Sequence, residues 1–206
     1  MKYNGIIIFG GMGSGKDCLA DFIIETDKRA KKYGLGDLIR SFKPIISVDP
    51  KWKDNERSFY QTISDKLREI DVDILNEYAL SIMISENADF IPVNKDTKWE
   101  DINKNMENVS KKILPMIVGG RTQADYNYWK KAGFLVVGIE ATKENRLKRL
   151  IKRDGKEVAI NSNVSHNTEI AVAEIAHRAD IVVNNDGTFD DLLVGVKDVL
   201  KAYYED

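Results

Sequence analysis

Eight residues near the start of the chain, Gly10-Gly11-Met12-Gly13-Ser14-Gly15-Lys16-Asp17, have the types and spacing of a phosphate cradle. They fit Gly-x-x-x-x-Gly-Lys, a loop whose backbone N–H groups bind phosphate, with Asp17 standing where Ser or Thr is usual. Glycines let a backbone turn with positive φ and approach an anion with no Cβ in the way. Lys16 adds a point charge suited to β- and γ-phosphates. A second set of cations, Arg146, Arg149 and Arg153, falls at i, i+3 and i+7. On a helix that spacing makes one face, and the planar guanidinium fork suits phosphate. The alternative is pairing with Glu140, Glu144 or Asp154. Arg40 and Lys43 form a third set just beyond a strand end, where open parallel sheets bind ligands, although solvation would also account for them. His166 has no partner nearby in sequence and reads as a surface residue.

These side chains need a scaffold, and the sequence outlines one. Ile6-Ile7-Ile8-Phe9 reads as a short buried strand, and the Cys18-to-Ile24 stretch after the loop as a helix with Leu19, Phe22 and Ile23 apolar. That helix points its first N–H groups and its positive dipole end at the loop. Five strand candidates open at Gly5, Ala30, Ile113, Phe134 and Asp180, alternating with helices. The pattern predicts an α/β protein with a five-stranded parallel sheet flanked by helices. Asp37 can cap a helix that begins at Leu38. Pro115 counts slightly against the third strand, because proline has no N–H to donate.

Residues 49–111 are polar, helical and poor in strand signals, with breaks expected at Asp49-Pro50 and Ile91-Pro92-Val93. Phe59, Ile63 and Leu67 define one face of a helix over Glu56 to Ile70, with Arg57 and Arg68 near its ends. A second helix is expected over Ile74 to Ile84, and a third periodic stretch carries Trp99, Ile102, Met106 and Val109. This section reads as a helical insertion able to clamp a substrate, or as an ordinary crossover. Gly133 ends a helix over Asp125 to Lys131. Asp154 to Thr168, with Asn161-Ser162-Asn163, reads as a loop, and Phe189 to Tyr203 as a closing amphipathic helix. We take residues 1–206 as one domain, with 37–111 as the insertion and 146–168 as a lid region.

Composition narrows the classes. The 206 residues are 43% hydrophobic, enough for a sizeable core. Lys plus Arg is 31 against 33 for Asp plus Glu, so a net charge of -2 gives no general attraction to nucleic acid or to an anionic membrane. Any anion site must be local. The single cysteine, Cys18, excludes an intramolecular disulfide and a cysteine-based zinc site. No signal-peptide pattern and no bilayer-length apolar run is present, and a cytoplasmic protein is the expectation. The sequence carries no signal for oligomeric state.

The chain resembles the nucleoside monophosphate kinase group of P-loop proteins, and most the deoxynucleoside monophosphate kinase and dephospho-CoA kinase branch. The residues that carry the likeness are Ser14-Gly15-Lys16-Asp17, Gly36-Asp37-Leu38-Ile39-Arg40, Arg121 with Asp125 four residues on, the three arginines, and Ala179-Asp180-Ile181-Val182-Val183-Asn184-Asn185-Asp186-Gly187-Thr188. The resemblance implies a P-loop kinase core and transfer of the γ-phosphoryl of ATP, with Mg²⁺, to a nucleoside or deoxynucleoside monophosphate or a similar small acceptor. It implies that Gly11, Met12, Gly13, Ser14, Gly15, Lys16, Asp17 and Cys18, with Arg149, Asn185, Gly187 and Thr188, bind the nucleotide. Lys16, Arg121, Arg146, Arg149 and Arg153 would act on the transferring group, and Asp37, Arg40, Arg57, Arg68, Arg121 and Asp125 would hold the acceptor.

Two departures stand out. The family has Thr where this chain has Cys18, and an acid near the position of Gly119. The usual hydroxyl ligand for Mg²⁺ is absent, and a thiol is a poor ligand for a hard cation. Asp17 is the candidate metal residue, with Asp125 behind it. These departures leave a nucleotide-binding sensor with little transfer activity as the alternative. A switch-type NTPase ranks last, because no Asn-Lys-x-Asp guanine motif is present.

Overall fold

In the computed structural model, residues 2–46, 56–87, 96–157 and 167–205 are described. Five parallel strands make one sheet in the order β2-β3-β1-β4-β5. They are β1 (Gly5–Phe9), β2 (Ala30–Gly34), β3 (Leu114–Gly120), β4 (Phe134–Glu140) and β5 (Ile181–Asn184). Strand β1 is buried along its whole length, and its alternating side chains explain why it has no polar face. Ile6 and Ile8 pack under α1 (Lys16–Thr26) and the last helix, α10 (Phe189–Tyr204), through Leu19, Ile23, Val196 and Tyr203. Ile7 and Phe9 pack on the other side with α5 (Ile74–Asn87), α6 (Trp99–Lys112), α7 (Gln123–Lys131) and α9 (Asn167–His177). A sheet covered on both faces requires an unbroken apolar run in its central strand, and Ile6-Ile7-Ile8-Phe9 supplies it.

Three further helices lie between β2 and α5 among the described residues: α2 (Asp37–Arg40), α3 (Lys43–Ile46) and α4 (Glu56–Ile70). Helix α4 has the predicted bounds, and α5 runs three residues past the expected Ile84. Strand β3 tolerates Pro115 as its second residue, opposite Lys31 of β2. The expected breaks at Asp49-Pro50 and Ile91-Pro92-Val93, the loop at Asn161-Ser162-Asn163, and His166 lie outside the described residues.

The end of β3 accounts for one departure from the kinase pattern. The β1–β3 register slips between Ile8 and Phe9, so that Phe9 pairs with Gly120 and Gly119 becomes the extra residue. Gly119 takes φ 100°, a conformation that any residue with a Cβ enters only under strain. An acid there would be strained, and the chain has glycine.

Candidate functional site

Parallel strands put the loops after their carboxyl ends on one edge of the sheet, which is where α/β ligands bind. The loop after β1 passes directly into α1. Gly13 and Gly15 take φ 77° and 99°, and Gly15 is the N-cap of α1 in the left-handed conformation. No side chain caps this helix, so its positive end faces the loop without an internal acceptor. The Ser14 N–H donates to Gly11 O at 3.1 Å, which closes the turn, while the Ser14 hydroxyl is buried without a hydrogen-bond partner.

Helix α8 (Lys143–Asp154) lies against this loop and brings two of its three arginines onto it. Arg146 Nε donates to Met12 O at 2.7 Å, and its guanidinium crosses Gly11 so closely that a Cβ there would stand 2.6 Å from Nη2. Arg149 Nη1 lies 3.3 Å from both Gly13 O and Ser14 O, and Nη2 donates to Asn185 O at 2.5 Å. The Asn185 amide completes the enclosure by donating from Nδ2 to Ser14 O at 2.8 Å. Two cations beside an uncapped helix end favour an anion, and the missing Cβ atoms let Arg146 and Asn185 close on the loop.

Arg153 behaves differently. Its guanidinium makes a bidentate pair with Asp154, at 2.7 Å for both contacts, and this is the pairing that sequence reading left as the alternative. The Asp154 hydrogen bond, with Asp17 adding at longer range, raises its pKa further. Thr188 is the N-cap of α10: its Oγ1 accepts from Asp191 N, and the Asp191 carboxylate accepts from Thr188 N at 2.7 Å. Asn184 Oδ1 accepts from Asp186 N at 2.9 Å.

On the candidate acceptor side, Asp37 accepts from Gly34 N and from Arg40 Nη2, each at 2.8 Å, on the open surface after β2. Arg68 is drawn into the protein. It pairs with the fully buried Asp125, Nη1 to Oδ1 at 3.0 Å, and Asp125 also accepts from the backbone N–H groups of Arg121 and Thr122. Asn76 donates to Asp125 Oδ1 at 3.1 Å and accepts from Trp129 Nε1 at 2.9 Å. Arg68, half-buried, and Asp125, fully buried, therefore form a strut between α4 and α7. Arg121 is exposed just past β3. Arg57 lies in the first turn of α4, and its side chain is outside the described residues. Sequence reading placed Asp186 in the Asn185-Asp186-Gly187-Thr188 stretch that carries the resemblance but gave its side chain no part; the carboxylate accepts from Thr142 N at 2.7 Å and from Asn145 Nδ2 at 2.9 Å.

The residues fit a polyphosphate. For a divalent cation they offer Asp17, exposed in the first turn of α1. Burial and the neighbouring Asp21 raise the Cys18 pKa, which keeps the thiol neutral. No group of three or more His, Cys, Asp or Glu side chains suited to a metal occurs among the described residues. This donor set suits a cation that keeps water and phosphate oxygens in its shell.

No model of a known protein family matches the chain, and no curated protein matches it. Solved structures do. TT1252 from Thermus thermophilus superposes with a TM-score of 0.55 at 18% identity, over 98% of this chain and 97% of that one. Shikimate kinase from Aquifex aeolicus vf5 gives a TM-score of 0.52 at 16% identity, over 96% of each chain. At these identities the likeness establishes the fold. The protein has the fold of P-loop kinases, a five-stranded parallel sheet flanked by helices. No helix among the described residues is long and apolar enough to cross a membrane.

Proposed function

We propose that this protein is an ATP-dependent small-molecule kinase acting in the cytoplasm, with a nucleoside or deoxynucleoside monophosphate or a similar small molecule as acceptor. The observation that carries the reading is the pair Arg146 and Arg149 laid over a glycine loop that enters an uncapped helix. Bound ATP supplies the γ-phosphoryl group, and Mg²⁺ spreads the charge of the phosphate oxygens. The chain's own part is positioning and charge cancellation, which is most of what phosphoryl transfer asks of a protein. The amides of the loop and of the first turn of α1 hold the phosphates, and Lys16 adds a cation. Arg146 and Arg149, which hold loop carbonyls in this structure, would exchange them for phosphate oxygens. Asp17, exposed in the first turn of α1, would hold the metal. Arg40 and Arg121, both past strand ends, hold the acceptor, and the 37–111 section selects it.

The assay is ADP formation with ATP and Mg²⁺ against a panel of nucleoside monophosphates, deoxynucleoside monophosphates, dephospho-CoA and shikimate. Acceptor-stimulated ADP with one of them supports the kinase. Its absence across the panel, with ATP still bound, supports a nucleotide-binding sensor instead. The absence of a hydroxyl at Asp17 and Cys18 and of an acid at Gly119 is what favours that second reading.

A further inference from the structure

The arginines over the loop are carried by α8, and the direction of a helix is decided by what holds its ends. The apolar contact between α8 and the loop is small: Met12 and Leu150, with Leu147 and Ile151 packed against them. Such contact is non-directional and leaves rotation of the helix about that point open. Directional contacts come from Arg146 and Arg149, which bond to the loop and to Asn185 O, and from the first turn, where Asp186 holds the backbone itself. One oxygen of Asp186, Oδ1, accepts from Thr142 N at 2.7 Å, Thr142 Oγ1 at 2.9 Å and Asn145 Nδ2 at 2.9 Å. The helix does not need Asp186 to begin, because Thr142 is itself the N-cap and accepts from Asn145 N. The carboxylate adds attachment to another part of the fold.

We propose that Asp186 is a positioning residue of the candidate donor site: it fastens the first turn of α8 to the turn after β5, so that Arg146 and Arg149 stand over the phosphate loop. This rests on the reading of that loop as a nucleotide site. Arg146 and Arg149 lie one and two helical turns from Thr142, so movement at the first turn is transmitted along a stiff rod to both guanidinium groups. Neighbouring Asn185 holds the other half of the site by its bond to Ser14 O at 2.8 Å. One turn thus secures both the loop and the helix above it. The Thr142 N–H, the Asn145 amide and the charge of Arg149 hold the Asp186 carboxyl below the usual carboxylate range, and the anchor is ionised at neutral pH.

The test uses the full chain as wild type, Asp186→Ala, Asp186→Asn, Arg146→Ala/Arg149→Ala and the triple variant, with ATP binding by calorimetry and backbone amide exchange as readouts. Asp186→Ala is expected to weaken ATP binding about tenfold, the scale of one charged hydrogen bond, and Asp186→Asn to recover part of the loss. In the Arg146→Ala/Arg149→Ala background, Asp186→Ala should add less than about twofold, because its route to the ligand is gone. Amides of residues 142–149 should exchange faster while those of β1 and β4 keep their protection. Unchanged ATP affinity, or the same tenfold loss without the arginines, would overturn the proposal. If the wild type binds no ATP, the nucleotide reading fails. Exchange then decides the anchor: faster exchange confined to 142–149 keeps it, and unchanged exchange removes it. Should Asp186→Ala not fold, Asp186→Asn and Asn145→Ala carry the same measurements.

Discussion

The side-chain amide of Asn185 donates to the carbonyl of Ser14 at 2.8 Å, joining residues 171 positions apart. The contact is buried and passes over Gly15, where a Cβ would collide with the Asn185 amide. The C-terminal turn thus acts on the candidate phosphate site by holding its backbone, and Arg149 bridges the same two segments through Ser14 O and Asn185 O.

Gly15→Ala puts a side chain at φ 99° and against Asn185 together. The expected loss is roughly 1–3 kcal/mol of stability, with ATP binding reduced by more than tenfold. Urea unfolding and an ATP titration measure the two effects. A variant as stable as wild type would mean that the loop does not need this conformation.

The arginines of α8 should not be equivalent. Arg149→Ala is expected to weaken ATP binding by about ten- to a hundredfold, since its charge-assisted bonds reach the loop. Arg153→Ala should change it less than about threefold, because its guanidinium pairs with Asp154 at the surface. Equal losses in a binding titration would show that Arg153 leaves Asp154 for the ligand.

Asp125→Ala removes the carboxylate that the half-buried Arg68 cation, the Asn76 amide and two backbone N–H groups share, leaving Arg68 only Val72 O and Asn76 only Asp73 as acceptors. A cost of about 3–5 kcal/mol follows from stranding a buried charge. Trp129→Phe is milder, roughly 1–3 kcal/mol, since it orphans only Asn76 Oδ1. Thermal unfolding gives both. A small effect for Asp125→Ala would mean that Arg68 escapes to solvent, free to meet an acceptor.

The Asp186 anchor also has a pH signature. Its folded pKa is depressed, first by the Thr142 N–H and then by Asn145, the Thr142 hydroxyl and Arg149. The stability it contributes is therefore fully present above the unfolded carboxylate pKa of about 4, and is lost as pH falls through the folded value. The difference in melting temperature between wild type and Asp186→Asn should be constant near neutral pH and close in acid. A difference that persisted unchanged below pH 4 would mean that the charge on Asp186 is not what holds α8.

The sheet and the conformation of the glycine loop were legible from local order alone. A buried parallel strand must be apolar on both faces, and a left-handed helix entry selects glycine, so Ile6-Ile7-Ile8-Phe9 and Gly13-Ser14-Gly15 announce themselves. The bounds of α4 followed from its spacing of Phe59, Ile63 and Leu67. What only the tertiary structure decided is which partner each charged side chain takes. Arg146, Arg149 and Arg153 share one helix face, yet two reach the loop and one turns to the adjacent Asp154, because the path of α8 sets which positions lie over the loop. Arg68 and Asp125, 57 positions apart, pair with each other in the fold, a partnership that no local pattern announces. Helical and strand periods are local properties written in neighbouring residues. The meeting of residue 185 with residue 14, and of residue 186 with residue 142, depends on the whole sheet order.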